Sequence, residues 1–189
     1  MYSDALVYQA KAFYNAYIAL GQLSRDDSEA FLLLSVPLVV NGAFSIELTL
    51  KAILAKNNIE YGKEHNLLVL YKMLPDAFQK ELLSHLIEAA PEYIESETCF
   101  DELLLLSNAF VDWRYLFEGK PVPAIDLRFL SAFSNAAIVT MFSHYNTDLT
   151  PSDRTVSDEE VEQKLRENRE QCKEINLKMI QKKLKENHP

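Results

Sequence analysis

Four glycines in a chain of 189 residues constrain the fold more than any other feature of this sequence. Phosphate-binding loops and tight β-hairpins both need glycine at several positions, so P-loop, dinucleotide-binding and β-sandwich folds are disfavoured. The chain also contains 28 leucines, and no alternating apolar pattern of strand length occurs in it. We therefore predict an all-α protein.

The spacing of apolar residues predicts an up-and-down helical bundle in residues 1–150. Helices are expected over about Ser3–Leu23, Asp27–Asn57, Asn66–Leu74, Asp76–Ala90, Phe100–Phe117 and Ile125–Tyr145. The second helix is apolar nearly all round from Pro37 to Ala55, which places it at the centre of the bundle. Pro37 removes a backbone donor and is expected to kink or restart this helix. The acidic stretch that begins at Pro91 is expected to be irregular.

Residues 151–189 form a second, charged segment that we predict to be an appended C-terminal helix. Ser157 and Glu160 make a capping box at its start. Downstream, a seam recurs at alternating steps of four and three residues: Val161, Leu165, Asn168, Cys172, Ile175 and Met179. Such a seam is typical of a coiled coil. Such a helix could dock on its own bundle. Alternatively, it could pair with a second copy of the chain or with another partner.

Charge and cysteine content exclude several classes of protein. Residues 1–150 hold 10 basic and 19 acidic residues, which accounts for the net charge of -9. An acidic body disfavours extended duplex DNA but allows a short or single-stranded RNA at one local basic point. Two cysteines, Cys99 and Cys172, are too few for a disulfide scaffold or a Cys-rich zinc site. No signal-peptide pattern and no membrane-length uncharged run is visible, so we expect a cytoplasmic protein without a membrane partner.

Glu47 and Arg114 are charged residues in strongly apolar surroundings. A carboxylate in an apolar helix is costly unless it is paired, and Lys51 lies four residues further on the same face. Arg114 lies in an aromatic run that begins at Asn108 and ends at Glu118. A guanidinium in such a setting usually has a carboxylate partner, and Glu47 is the candidate across the bundle.

His65 stands at the start of a short predicted helix. We expect its ring to bond a neighbouring carboxylate or carbonyl, in a capping and orienting role, with general-base catalysis as the less favoured alternative. The predicted polar cluster thus consists of Glu47, Lys51, His65, Asn108, Arg114 and Glu118. It is either a structural ion-pair network or a preorganised polar pocket.

The sequence gives little support for a metal site or a catalytic nucleophile. Di-iron bundles use Glu-x-x-His motifs, and no Glu stands three residues before His65, His85 or His144. Motifs of serine hydrolases, zinc peptidases and P-loop proteins do not occur, and neither cysteine has an evident His partner. We expect neither a metal nor a cofactor.

Three segments, in this order, resemble the HEPN superfamily of prokaryotic helical bundles: Asn41–Leu54, Glu64–Leu70 and Phe110–Glu118. The resemblance covers roughly residues 5–145. It implies an all-α bundle, commonly dimeric, in toxin–antitoxin, phage-defence or RNA-processing systems, often with a nucleotidyltransferase partner. Catalytic members are metal-independent ribonucleases in which an Arg is followed after four to six residues by a His.

The sequence departs from this ribonuclease motif. At the matching offsets, Arg114 is followed by Gly119, Lys120 and Pro121, and Arg128 is followed by Phe, Ser and Asn. We therefore expect a non-catalytic or regulatory bundle that acts as a binding component. Two alternatives stay open: a ribonuclease of altered motif that uses Arg114 and His65, and a purely structural or protein-interaction module.

Overall fold

The structure is a computed structural model that describes residues 2–25, 27–93, 96–108 and 124–145. These residues belong to one compact unit, Met1–Asn146. The described residues form six α-helices and one 3₁₀ turn, with no strand among them. The elements are α1 (Tyr2–Leu23), α2 (Ser28–Lys56), α3 (Leu67–Met73), α4 (Asp76–Ala89), the 3₁₀ turn (Pro91–Tyr93), α5 (Ser96–Ser107) and α6 (Leu127–His144). The all-α prediction is confirmed.

Helix α2 is the central element of the bundle. The side chain of Asp27 caps its first turn by accepting bonds from the backbone amides of Glu29 and Ala30. Its second half is buried from Leu38 to Leu54 with few interruptions, because α1, α3 and α6 pack around it. It continues unbroken through Pro37. It therefore does not restart there, and a bend of its axis at that residue stays a prediction.

Helix α2 is also the one described helix that is long and apolar enough to cross a membrane by length and composition. The mean hydropathy of its most apolar window of 18 residues is 1.8, and 44% of that window is buried inside the bundle. Core helices of soluble proteins can be equally long and apolar. The feature thus gives only weak evidence for a membrane.

Helix α5 differs from its prediction at both ends. It begins at Ser96 rather than near Phe100, and the stretch expected to be irregular contains the 3₁₀ turn and the first turn of α5. Acidic residues in a first helical turn are favourable because they face the positive end of the helix dipole. The helix ends at Ser107, and Asn108 lies in a turn. The prediction of one helix through Phe117 was therefore wrong, and residues 109–117 lie outside the described ranges.

Helix α6 is positioned by its N-terminal cap and by a short contact from the 3₁₀ turn. Asp126 accepts bonds from the backbone amides of Arg128 and Phe129, and its second oxygen accepts the hydroxyl proton of Tyr93 at 2.5 Å. Phe129 and Phe133 on the inner face of α6 are fully buried. The predicted C-terminal helix, residues 151–189 with its capping box and seam, lies outside the described residues.

Candidate functional site

A buried ion pair lies in the central helix. The Nζ atom of Lys51 lies 2.7 Å from Oε1 of Glu47, one helical turn away, and both side chains are only 9% exposed. This is the pairing that the spacing of four residues predicts. Removing two charges from water is costly, and their mutual attraction offsets this cost only in close geometry such as this one.

His65 is held against the same carboxylate oxygen. The loop after α2 turns back through two residues with left-handed backbone conformation, Asn58 (φ 56°) and Gly62 (φ 55°). This return places Nδ1 of His65 at 2.9 Å from Oε1 of Glu47, while 71% of the side chain of His65 stays exposed. Since a carboxylate only accepts hydrogen bonds, Nδ1 carries the proton. In the neutral ring Nε2 is therefore the acceptor.

The backbone around His65 is fixed by its neighbours. The carboxylate of Glu64 accepts bonds from the backbone amides of Asn66 (2.7 Å) and His65 (2.8 Å), and these bonds lower the pKa of Glu64. Asn66 caps α3 by accepting a bond from the amide of Val69. The Ser107 hydroxyl, at the end of α5, accepts the amide proton of Leu67 at 2.9 Å. The capping role expected of His65 thus belongs to Asn66, and His65 keeps the orienting contact.

The ring of Tyr61 lies beside the ion pair and also lines a surface hollow. The ammonium group of Lys51 lies 5.4 Å from the ring centre of Tyr61, a distance at which a cation interacts with an aromatic face. The hollow has a volume of about 560 Å³ and is lined by Ala55, Asn58, Ile59, Glu60, Tyr61 and Gly62. The exposed ring of His65 thus belongs to the loop that lines this hollow, three residues after Gly62.

Four of the six residues of the predicted cluster lie in the described part of the chain, and three of these four are in contact. Glu47, Lys51 and His65 are brought together on one carboxylate oxygen, as described above. Asn108 is exposed, in the turn directly after Ser107. Arg114 and Glu118 lie outside the described residues, and so does the predicted pairing of Arg114 with Glu47.

Sequence reasoning did not assign site roles to four residues of this region: Tyr61, Glu64, Asn66 and Ser107. The signal for Asn66 was present, because Asn directly before an apolar helical run is a common cap. Ser107 is 40 residues from its partner Leu67, and no local pattern marks such a contact.

A second group of polar side chains joins α4 to α6. Glu81 accepts bonds from the Ser143 hydroxyl (2.6 Å) and lies 2.5 Å from Nε2 of His144. Although burial acts to raise the pKa of Glu81, these two hydrogen bonds hold it below its ordinary value. His85 lies further away, with Nε2 at 3.7 Å from Oε1 of Glu81. Within the described residues no group of three or more His, Cys, Asp or Glu side chains has the geometry of a metal site.

The described cysteine is not activated. Cys99 is fully buried, and burial raises the pKa of its thiol to about 11. A thiol with so high a pKa carries almost no thiolate near neutral pH, so Cys99 is poorly suited to act as a nucleophile.

No family model matches this chain, and no curated protein or solved structure matches it either.

Proposed function

We propose that this chain is a non-catalytic or regulatory bundle of HEPN type that acts in the cytoplasm as a binding component of a toxin–antitoxin, defence or RNA-processing system. The ligand class that we propose is single-stranded RNA. The observation that carries the proposal is the ring of His65, which is oriented by a buried carboxylate and largely exposed on its other side.

The charged groups around Glu47 hold the ring of His65 in a fixed orientation. The carboxylate of Glu47 and the ammonium group of Lys51 neutralise each other, with Nζ and Oε1 2.7 Å apart. Such a satisfied pair holds the ring of His65 in place. His65 is thereby preorganised, which lowers the entropic cost of contacting a ligand.

The tautomer of His65 indicates what its ring can recognise. With Nδ1–H donated to Glu47, Nε2 of the neutral ring accepts a hydrogen bond. The 2′-hydroxyl of ribose can donate that bond, and DNA has no such group. The contact would therefore distinguish RNA from DNA of the same sequence.

The test is a binding titration with labelled single-stranded RNA and with DNA of the same sequence, followed by fluorescence anisotropy. We expect wild type to prefer RNA. We expect His65→Ala to weaken RNA binding by roughly 3- to 10-fold, the worth of one hydrogen bond, and to leave DNA binding unchanged. His85→Ala is the matched control, since His85 lies near Glu81 and not near Glu47. Equal affinity for RNA in wild type and His65→Ala would refute the proposed contact.

The same dyad supports one alternative, a metal-independent ribonuclease. A carboxylate that holds Nδ1–H and leaves Nε2 bare is the arrangement of a general base, and Nε2 could take the proton of a 2′-hydroxyl. Incubating the RNA with protein in the presence of a chelator separates the two functions. Intact RNA is the expected result. Cleavage that is lost in folded His65→Ala and Arg114→Ala variants would instead assign the ribonuclease function.

A further inference from the structure

The hollow beside Tyr61 has a fixed rim, which results from the way in which α2 ends. The backbone amide of Ile59 donates to the carbonyl of Leu54 (2.9 Å), and the amide of Asn58 donates to the carbonyl of Ala55 (3.2 Å). Because Asn58 has the left-handed backbone conformation (φ 56°), these two bonds form a Schellman motif. Ala55, Asn58 and Ile59 line the hollow, so this part of its wall is in place before a ligand binds.

The rest of the wall contains one aromatic ring and one carboxylate. The ring is that of Tyr61, and the carboxylate is that of the exposed residue Glu60. Among the described residues Glu60 has no hydrogen-bond or ion-pair partner. A Cβ atom at Gly62 would have no neighbouring atom within 4 Å, so the hollow is open at this point. Its volume of about 560 Å³ lies in the range of about 300–1,000 Å³ that is usual for small-ligand sites.

We propose that the hollow binds the base of one guanosine, stacked on the ring of Tyr61 and hydrogen-bonded to the carboxylate of Glu60. The inference rests on the proposed function, because His65, which follows Gly62 by three residues, is the residue assigned to the ribose of single-stranded RNA. Proteins commonly bind the bases of single-stranded RNA by stacking them on aromatic side chains and by hydrogen bonds to their Watson–Crick edges. The hollow thus adds recognition of the base to a ribose contact that is the same for every nucleotide.

The carboxylate of Glu60 selects guanine among the four bases of RNA. A carboxylate only accepts hydrogen bonds, and its two oxygens suit two neighbouring donors. On the Watson–Crick edge of guanine, N1–H and the N2 amino group are two such donors. Adenine and cytosine each present one donor next to an acceptor, and uracil presents one donor between two acceptors. Guanine is therefore the one base that bonds both oxygens without turning an acceptor toward the negative charge.

A phosphate group and a cationic side chain are poorer matches for the same hollow. The negative charge of Glu60 repels a phosphate, so the base of the RNA enters the hollow rather than its backbone. An arginine side chain of a protein partner also carries two neighbouring donors. However, the ring of Tyr61 already interacts with the ammonium group of Lys51 at 5.4 Å, and this cation repels a second one at the same ring. A neutral base meets no such repulsion.

The test uses labelled oligouridines that carry guanosine, inosine, adenosine or cytidine at one central position, titrated with the full-length protein and followed by fluorescence anisotropy. We expect the guanosine RNA to bind roughly tenfold more tightly than the adenosine and cytidine RNAs, which is the discrimination of one bidentate contact. The inosine RNA should bind roughly threefold more weakly than the guanosine RNA, because inosine lacks the N2 amino group.

A substitution at Glu60 tests the carboxylate itself. Glu60→Gln should abolish the preference for guanosine, because the glutamine amide replaces one of the two acceptors by a donor. Glu88→Gln is the matched control, since Glu88 is an exposed glutamate on α4 that does not line the hollow, and it should keep the preference.

The same titrations with DNA of the same sequences separate this inference from the ribose contact, because guanine is the same base in RNA and DNA. A preference for guanine in both nucleic acids, without a preference for RNA, would refute the contact of His65 and support the guanine site. Equal affinity for all four RNAs, or a preference for guanosine that persists in Glu60→Gln, would overturn the guanine site. No binding of any oligonucleotide would overturn both.

A short arginine peptide tests the other occupant of the hollow. If it binds wild type but not Glu60→Gln, and the guanosine RNA does not displace it, the occupant is a cationic side chain and the proposal is overturned.

Discussion

Replacing Lys51 by methionine removes one partner of the buried ion pair in α2, and we expect a large loss of stability. The Nζ–Oε1 distance to Glu47 is 2.7 Å. At an effective dielectric constant of about 20 this corresponds to an attraction of about 6 kcal/mol before desolvation is counted. Methionine abolishes this attraction and leaves the carboxylate desolvated. Loss of one partner of a buried pair typically costs about 3–5 kcal/mol.

We expect the lower end of that range, about 3 kcal/mol, because Glu47 keeps its contact with His65. For a domain of this size the melting temperature should fall by roughly 6–12 °C. Urea unfolding followed by circular dichroism measures the change in the free energy of unfolding. An unchanged slope of this free energy against urea concentration shows that the unfolded state is unaltered. The double variant Glu47→Met/Lys51→Met should return to within about 1 kcal/mol of wild type, since no unpaired charge is then buried.

The matched control for this cycle is Lys56→Met, the same substitution five residues further along α2. Lys56 pairs with Asp4, and these side chains are 25% and 48% exposed. Water solvates both groups, so this variant should lose far less stability than Lys51→Met. If Lys51→Met costs no more than Lys56→Met, or if the double variant is as unstable as the sum of the single ones, the reasoning about a buried, coupled pair is refuted.

Three further predictions concern the packing and the caps. Gly42→Ala should lower the free energy of unfolding by about 1 kcal/mol, although alanine has the better helix propensity, because the new Cβ would lie 3.0 Å from Cδ1 of Leu130. Urea unfolding measures this change, and a variant more stable than wild type would contradict the close contact. Thr140→Val should raise the free energy of unfolding by about 1 kcal/mol, since the Thr140 hydroxyl is fully buried and has no hydrogen-bond partner among the described residues. A loss of stability in the same urea assay would show that this hydroxyl does have a hydrogen-bond partner. The hydrogen bond from Tyr93 lowers the pKa of Asp126 below its ordinary 3.8, so the stability that this bond adds is complete above that pH and is lost as the pH falls through the lowered value. The stability gap between wild type and Tyr93→Phe should therefore narrow as the pH falls below the ordinary pKa of 3.8, and a constant gap would refute the linkage.

Local chemistry made much of the fold predictable. The bounds of α2 follow from Asp27, whose carboxylate caps the first turn, and from an apolar run that is nearly continuous from Pro37 to Ala55. The pairing of Glu47 with Lys51 follows from helical geometry alone, because residues four apart lie on one face. The start of α5 was less predictable, since an acidic stretch suits both a loop and the first turn of a helix.

The contact between His65 and Glu47 could be anticipated only in general terms. The residue type suggested a carboxylate or carbonyl partner, but 18 residues separate the two side chains. Which carboxylate the ring meets depends on the path of the loop between them. That path turns at Asn58 and Gly62, and the positive φ angle of Asn58 is not dictated by the residue type.

By itself, the sequence determined the helical class, the central place of α2 and the pairing of Glu47 with Lys51, because propensity, periodicity and spacing act within a few residues of one another. Only the tertiary structure decided that His65 meets that pair and that Leu32 and Leu33, near the start of α2, are exposed. Both outcomes depend on how separate segments are aligned. That alignment is set by the packing of many side chains at once, which no local pattern records.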